Sequence, residues 1–312
     1  MLQQPISHII GKSRTVLLAG CGDSYDVFGA VPLLVELVLA GRHVHLASLS
    51  ASYLAGLSGA AAVPSHPNLY KIGAAAASAS AYCPEAWLSR WLEEQLGRRQ
   101  PVWSFERTGV QPLRAAWCYL VEHLAVDCIV LIDTGVASLL RGDERSIGKL
   151  DRDLASLCAV AAVDGPRKIL ACMGMGAGAP GDMNHADVFE RMSDLTRAGA
   201  FLGTASLLGS TTPGKVYRDA VRYVFDNQVN QKKSPVHELI SRAVGGEFGL
   251  VRDQGWMSPL MNMLWFFDLA AVARTNLLTG AIETTQTGAD VSAAVDATRR
   301  SLKLRPGGAI PI

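Results

Sequence analysis

Two carboxylates stand inside a glycine turn near the start of the chain, where residues 15–41 read TVLLAGCGDSYDVFGAVPLLVELVLAG. An apolar strand that stops at glycines and restarts as a helix brings backbone N–H groups to the mouth of a sheet, a place where phosphates and other anions are held. Asp23 and Asp26 add acid to that cradle. Their chemistry widens the choice to a metal, a sugar hydroxyl or a proton transfer. Gly20, Gly22, Ser24 and Asp26 are expected to contact a ligand. Asp26 at the helix start also reads as an N-cap, and Asp23 then remains the freer general base or metal ligand.

A third carboxylate, Asp133, ends the apolar run CIVLID and is followed by Thr134 and Gly135. In a sheet rim this is a position for acid–base work or for a divalent ion, so Asp133 joins Asp23 as a catalytic or metal candidate, with Gly135 beside the ligand. The cluster Arg141-Gly142-Asp143-Glu144-Arg145 follows. It reads either as a self-neutralising loop or as a site in which Arg141 meets an anion while Asp143 and Glu144 carry protons. Asp151 and Asp153 read as helix N-terminal acids. A third turn, GMGAGAPGD, places Gly174, Gly176, Gly178 and Gly181 ahead of Asp182, Asn184 and His185. Gly174 and Gly176 are expected to let a ligand approach the backbone closely. Cys21, at a helix start, has the position of a lowered-pKa nucleophile but no obvious base in its local run.

The elements that must position these residues alternate in type. TVLLAG and HVHLASL are strands around a helix over about 27–40, and a right-handed crossover makes them parallel. Residues 55–85, rich in Ala, Gly, Ser and Pro, read as a long rim excursion. Pro84 opens a helix, PVWSFER is a short strand, PLRAAWCYLVEHLAV a helix, and CIVLIDTG and RKILACMG are strands. The last third is expected to be mostly helical, over about 213–227, 235–245, 257–278 and 290–303, with Asn262 and Asp268 making buried polar contacts. The class is therefore α/β: a Rossmann-like, open, mostly parallel sheet with helices on both faces and a helical C-terminal third. One domain is expected over residues 1–303, with 304–312 as a tail.

The runs LLAGCGDSYDVFGAVPLLVEL, VLIDTGVASLLRGDERSIGKLDRDLASLCAV and SPLMNMLWFFDLAAVA together resemble the DUF1152 family, a domain of unknown function in archaea and bacteria. The resemblance implies a Rossmann-like fold and no settled activity. Cys21 departs from the glycine of the family pattern, which weakens a nucleophilic role.

Composition excludes several classes. With 29 Lys and Arg against 28 Asp and Glu, a net charge of +1 gives no footprint for nucleic acid, and Lys232-Lys233 reads as a solvated face. The six cysteines form no C-x-x-C pair, which argues against zinc-finger logic and fits free thiols in a reducing compartment. The N-terminal run lacks the order of a signal peptide, and residues 256–278 are interrupted by Asn262, Asp268 and Arg274, so a cytoplasmic location without a membrane span is expected. The first loop lacks the G-x-G-x-x-G of NAD enzymes. The expectation is a hydrolase or group-transfer enzyme for a small phosphorylated or ribosylated metabolite, with a divalent cation such as Mg²⁺ as an option. The alternative is a non-catalytic nucleotide- or metabolite-binding regulatory module. An apolar helix over 259–278 packing across a two-fold axis would give a homo-oligomer.

Overall fold

The computed structural model describes residues 6–177, 183–228 and 231–310. Gly178, Gly181 and Asp182 of the third glycine turn lie outside the described residues. Among the described residues eleven strands occur: β1 Thr15–Gly20, β2 His43–Leu49, β3 Ala60–Val63, β4 His66–Ile72, β5 Val102–Phe105, β6 Cys128–Thr134, β7 Arg167–Met173, β8 Phe201–Ser206, β9 Gly249–Val251, β10 Gly255–Met257 and β11 Met263–Asp268. The helices are α1 Ile6–Ile9, α2 Val31–Leu39, α3 Pro84–Leu96, α4 Val110–His123, α5 Asp151–Ala161, α6 His185–Arg197, α7 Thr212–Asn227, α8 Pro235–Val244, α9 Leu269–Thr275, α10 Thr279–Ile282 and α11 Gly288–Ser301.

Nine strands form one sheet in the order β3-β4-β5-β2-β1-β6-β7-β11-β8. The central β5, β2, β1, β6 and β7 are parallel, and β4 and β11 close the parallel block by pairing antiparallel to β5 and β7. The sheet separates two cores. Val16 and Leu18 of β1 with Val130 and Ile132 of β6 face one, and Leu17, Ala19, Ile129 and Leu131 face the other. Burial on both faces explains why CIVLI is a continuous apolar run instead of an alternating one.

Two expectations fail. Residues 55–85 hold β3 and β4, an antiparallel pair that extends the sheet through β4 on β5. Residues 257–278 are not one helix: β11 lies inside the sheet between β7 and β8, and α9 follows it. Asp268 ends the strand and caps α9, accepting from the Ala271 N–H at 2.8 Å. Asn262 donates to the Ala243 carbonyl at 3.0 Å. The apolar helix invoked for two-fold packing is therefore absent, and that argument for a homo-oligomer falls. The remainder of the C-terminal region is helical, chiefly α7, α8 and α11. Residues 304–310 fold back onto the body: Arg305 N–H donates to the Asp143 carbonyl and Gly308 N–H to Asp187. Among the described residues no helix is long and apolar enough to cross a membrane.

Candidate functional site

β1 lies between β2 and β6, so the chain leaves it to one side and returns on the other. Ligands in open α/β sheets sit at such a reversal, beyond the carboxyl ends of the strands. Here the loops after β1, β6 and β7 enclose a cavity of about 460 Å³. Asp23 and Asp26 line it from the first loop, Asp133 and Gly135 from the end of β6 and the turn after it, Asp153 from α5, and Gly176 and His185 from the third loop and the start of α6. Backbone hydrogen bonds fasten the rim: Cys21 N–H to the Ile132 carbonyl at 2.8 Å and Gly135 N–H to the Met173 carbonyl at 2.9 Å.

Asp26 is buried and has four donors. Its Oδ2 accepts from the Gly22 and Asp23 N–H groups at 2.8 and 2.9 Å. Its Oδ1 accepts from the Thr134 N–H at 3.3 Å and from the Thr134 hydroxyl. Asp26 thus laces the first loop to the end of β6 more than it caps a helix. Burial, then the charges of Asp133 and Asp23, push its pKa up to about 7 against the pull of those hydrogen bonds. Asp133, also buried, accepts from the Ser138 N–H at 2.7 Å. Val136 supports that geometry at φ +61°, a left-handed conformation that is costly for a β-branched side chain. Burial raises the Asp133 pKa, opposed by its hydrogen bonds to Ser138 and Val136.

Asp153, in the first turn of α5, is the group that the sequence reading set aside. Its position depends on Gly22, where a Cβ would stand 1.8 Å from Asp153 Oδ1. Burial raises its pKa well above the carboxylate range, reinforced by the charges of Asp133 and Asp26 and opposed by Arg152. Asp23 differs from it in kind. Its side chain is 45 % exposed, it accepts from the Tyr25 N–H at 3.0 Å, and Arg152 lies 3.6 Å from its Oδ2. The site therefore sets a buried carboxyl with a raised pKa beside a half-exposed one in contact with Arg152. Separated environments of this sort set acid and base roles.

Cations border the same cavity: Lys149 and Arg152 beside α5, and Lys232 and Lys233 just before α8. Ser234 caps α8 by accepting from the His237 N–H, so the helix's positive end faces the same region. The Lys232-Lys233 pair is cavity wall, not merely a solvated face. Charge-blind spacing could not place it there. The signal available was Ser234-Pro235, a helix start directly after two lysines.

Other expected residues lie elsewhere. Ser24 is buried under β2, accepting from the Ala51 N–H at 2.7 Å. Gly20 packs against Asp26 and Val27, and Gly174 bonds to the Met261 carbonyl. Arg141, Asp143 and Glu144 do not line the cavity. Glu144 is fully buried and accepts from the Arg141 and Gly142 N–H groups at 2.9 and 2.8 Å, with Arg305 at 3.3 Å. Arg305 also reaches Asp143 at 3.1 Å. The cluster is the self-neutralising network, completed by a residue 161 positions away. Asp151 likewise faces Arg107 and Ser292. Cys21 is buried, and burial followed by Asp153, Asp133 and Asp26 pushes its thiol up, away from the thiolate a nucleophile needs. Among the described residues no three His, Cys, Asp or Glu side chains are grouped to hold a metal ion.

Residues 98–300 match the model of a family described as a protein of unknown function, DUF1152. The matched segment contributes Asp133, Asp153 and all four cations, while Asp23 and Asp26 precede it. No curated protein matches the chain.

Proposed function

The chain belongs to the DUF1152 family, and because that membership carries no activity with it, we propose a function from the cavity itself: hydrolysis or group transfer on a small phosphorylated or ribosylated metabolite. One observation carries the reading. Asp153, whose pKa burial raises well above the carboxylate range, opens onto the same cavity as the half-exposed Asp23, which lies 3.6 Å from Arg152.

In this reading Lys149, Arg152, Lys232 and Lys233 hold the anionic part of the substrate. Asp153 gives its proton to the departing group as the scissile bond breaks. Asp23 takes a proton from the attacking water or acceptor hydroxyl as the new bond forms, so each turnover ends with the two protons exchanged through solvent. Burial, then the charge of Asp133 and Asp26, favours the protonated form of Asp153, and Thr134 and Ser138 fix the orientation of Asp26 and Asp133. The six cysteines are all free thiols, in keeping with a reducing, cytoplasmic setting.

The test is a panel of nucleosides, nucleotides and sugar phosphates assayed for released base, sugar or phosphate. Asp153→Asn and Asp23→Asn should each lower turnover by about 10²- to 10⁴-fold while the melting temperature holds. Full turnover in both variants overturns the reading.

A further inference from the structure

The hairpin of β9 and β10 stands apart from the central sheet and lies on the loop after β7. Trp256 N–H donates to the Gly176 carbonyl at 3.1 Å, and Gly255 bridges Ala177. The contact needs glycine: Gly176 has φ +94°, and a Cβ there would stand 2.8 Å from the Trp256 carbonyl oxygen. This fixed hairpin carries unusual exposure. Phe248 and Leu250 are each 69 % exposed and Trp256 is 44 % exposed, whereas the other five tryptophans are buried. Clustered large apolar side chains in water mark a place where something binds.

Leu250 and Trp256 belong to the wall of the carboxylate cavity, alongside Lys232 and Lys233. Phe248 meets Trp256 edge to face, with centroids 5.4 Å apart, so the contact covers at most one face of the indole. A sugar phosphate would satisfy the cations and leave the apolar wall wet. A ligand with a planar ring at one end and an anion at the other satisfies both, and 460 Å³ is within the range of small-molecule sites. From this, and resting on the reading of the cavity given above, we infer that the substrate is a nucleoside phosphate whose base stacks on Trp256 against Leu250. Its phosphate then meets the lysines before α8, and its sugar lies between Asp23 and Asp153.

Trp256 reports on this directly, because it is the exposed tryptophan among five buried ones. AMP and ribose 5-phosphate are titrated into the full chain and into Trp256→Ala and Trp256→Phe, following melting temperature and tryptophan emission. Both compounds should raise the melting temperature of the wild type, and AMP alone should quench the exposed emission. Trp256→Ala should weaken AMP by about tenfold and leave ribose 5-phosphate unchanged, while Trp256→Phe restores most of the AMP affinity. Equal quenching by the two compounds, or AMP affinity indifferent to Trp256→Ala, overturns the stacking inference and leaves the anion site standing. A melting temperature indifferent to both compounds overturns the anion site as well. A dimer that Trp256→Ala dissociates, without any effect of AMP, assigns the patch to a second copy and overturns the inference.

Discussion

Gly22 and Asp153 share one space: the Oδ1 of Asp153 lies 1.8 Å from where a Cβ of residue 22 would stand, and its backbone nitrogen 3.0 Å away. The glycine turn after β1 therefore does more than free backbone N–H groups for a ligand. It admits a carboxyl from α5, 131 positions further on, to the floor of the cavity. Gly22→Ala must drive Asp153 aside or push the turn off the rim. A displacement near 1 Å at a catalytic group costs about 10²-fold in rate, so kcat/KM of Gly22→Ala should fall by that order with the fold retained. Wild-type kinetics in this variant would remove Asp153 from the mechanism.

The carboxyl cluster makes stability depend on pH in a definite direction. Burial and like charge raise Asp26 from near 3.8 to about 7 and raise Asp153 in the same sense, and burial raises Asp133. The folded state then holds protons that the unfolded chain has released. The stabilisation is complete below about pH 4 and is lost as pH rises through about 7. Chemical denaturation at pH 5 and pH 8 should show the wild type losing stability over this interval. Asp153→Asn, whose amide stands in for the protonated acid, should lose clearly less.

Much of this arrangement is legible in the residues, and the failures have physical causes. Strand, glycine turn and helix at 15–39 are local, and a continuous apolar run at 128–132 ending in Asp133 specifies a buried strand that delivers a carboxylate to the rim. Those signals brought the three loops together. β11 was hidden because a strand buried on both faces, followed at once by an apolar helix, carries no period that separates strand from helix. Asp153 was hidden because a helix-start acid looks the same whether it faces solvent or cavity. Its neighbour Asp151 does face outward, onto Arg107. Glu144 stays ambiguous in the sequence for the opposite reason, since its partner Arg305 lies far along the chain.

Thiol chemistry separates the two cysteine environments. Cys118 is exposed, while Cys21 and the other four are buried. Native protein treated with a maleimide at neutral pH should take up one equivalent, and denatured protein six. Cys21→Ser should keep its turnover, because a buried thiol held protonated beside three carboxyls has no thiolate to lend.

The Glu144–Arg305 pair should govern stability without governing chemistry. Glu144 has no exposed side-chain surface and is met by Arg305 at 3.3 Å, and the same guanidinium binds Asp143 and Glu190. Arg305→Ala leaves a buried carboxylate to two backbone N–H donors, a loss of about 3 kcal/mol. Urea unfolding should reveal it as a lower midpoint at unchanged slope. Because neither residue lines the cavity, kcat/KM measured well below the melting transition should stay close to the wild-type value.

The pH profile of turnover tests whether Asp153 is the acid. A general acid works while it keeps its proton, so activity should fall as pH rises through the raised pKa of Asp153. Asp133 and then Asp26 supply the charge that helps to hold that proton. Asp133→Asn removes one of these charges, and the alkaline limb should then move to lower pH by about one unit. A purely structural role for Asp133 predicts something else: a lower rate at every pH, with the limb in place. The two outcomes separate even if the substitution costs activity, because the position of the limb does not depend on its height. A limb that stays fixed in Asp133→Asn, or one that survives in Asp153→Asn, assigns the proton to another group.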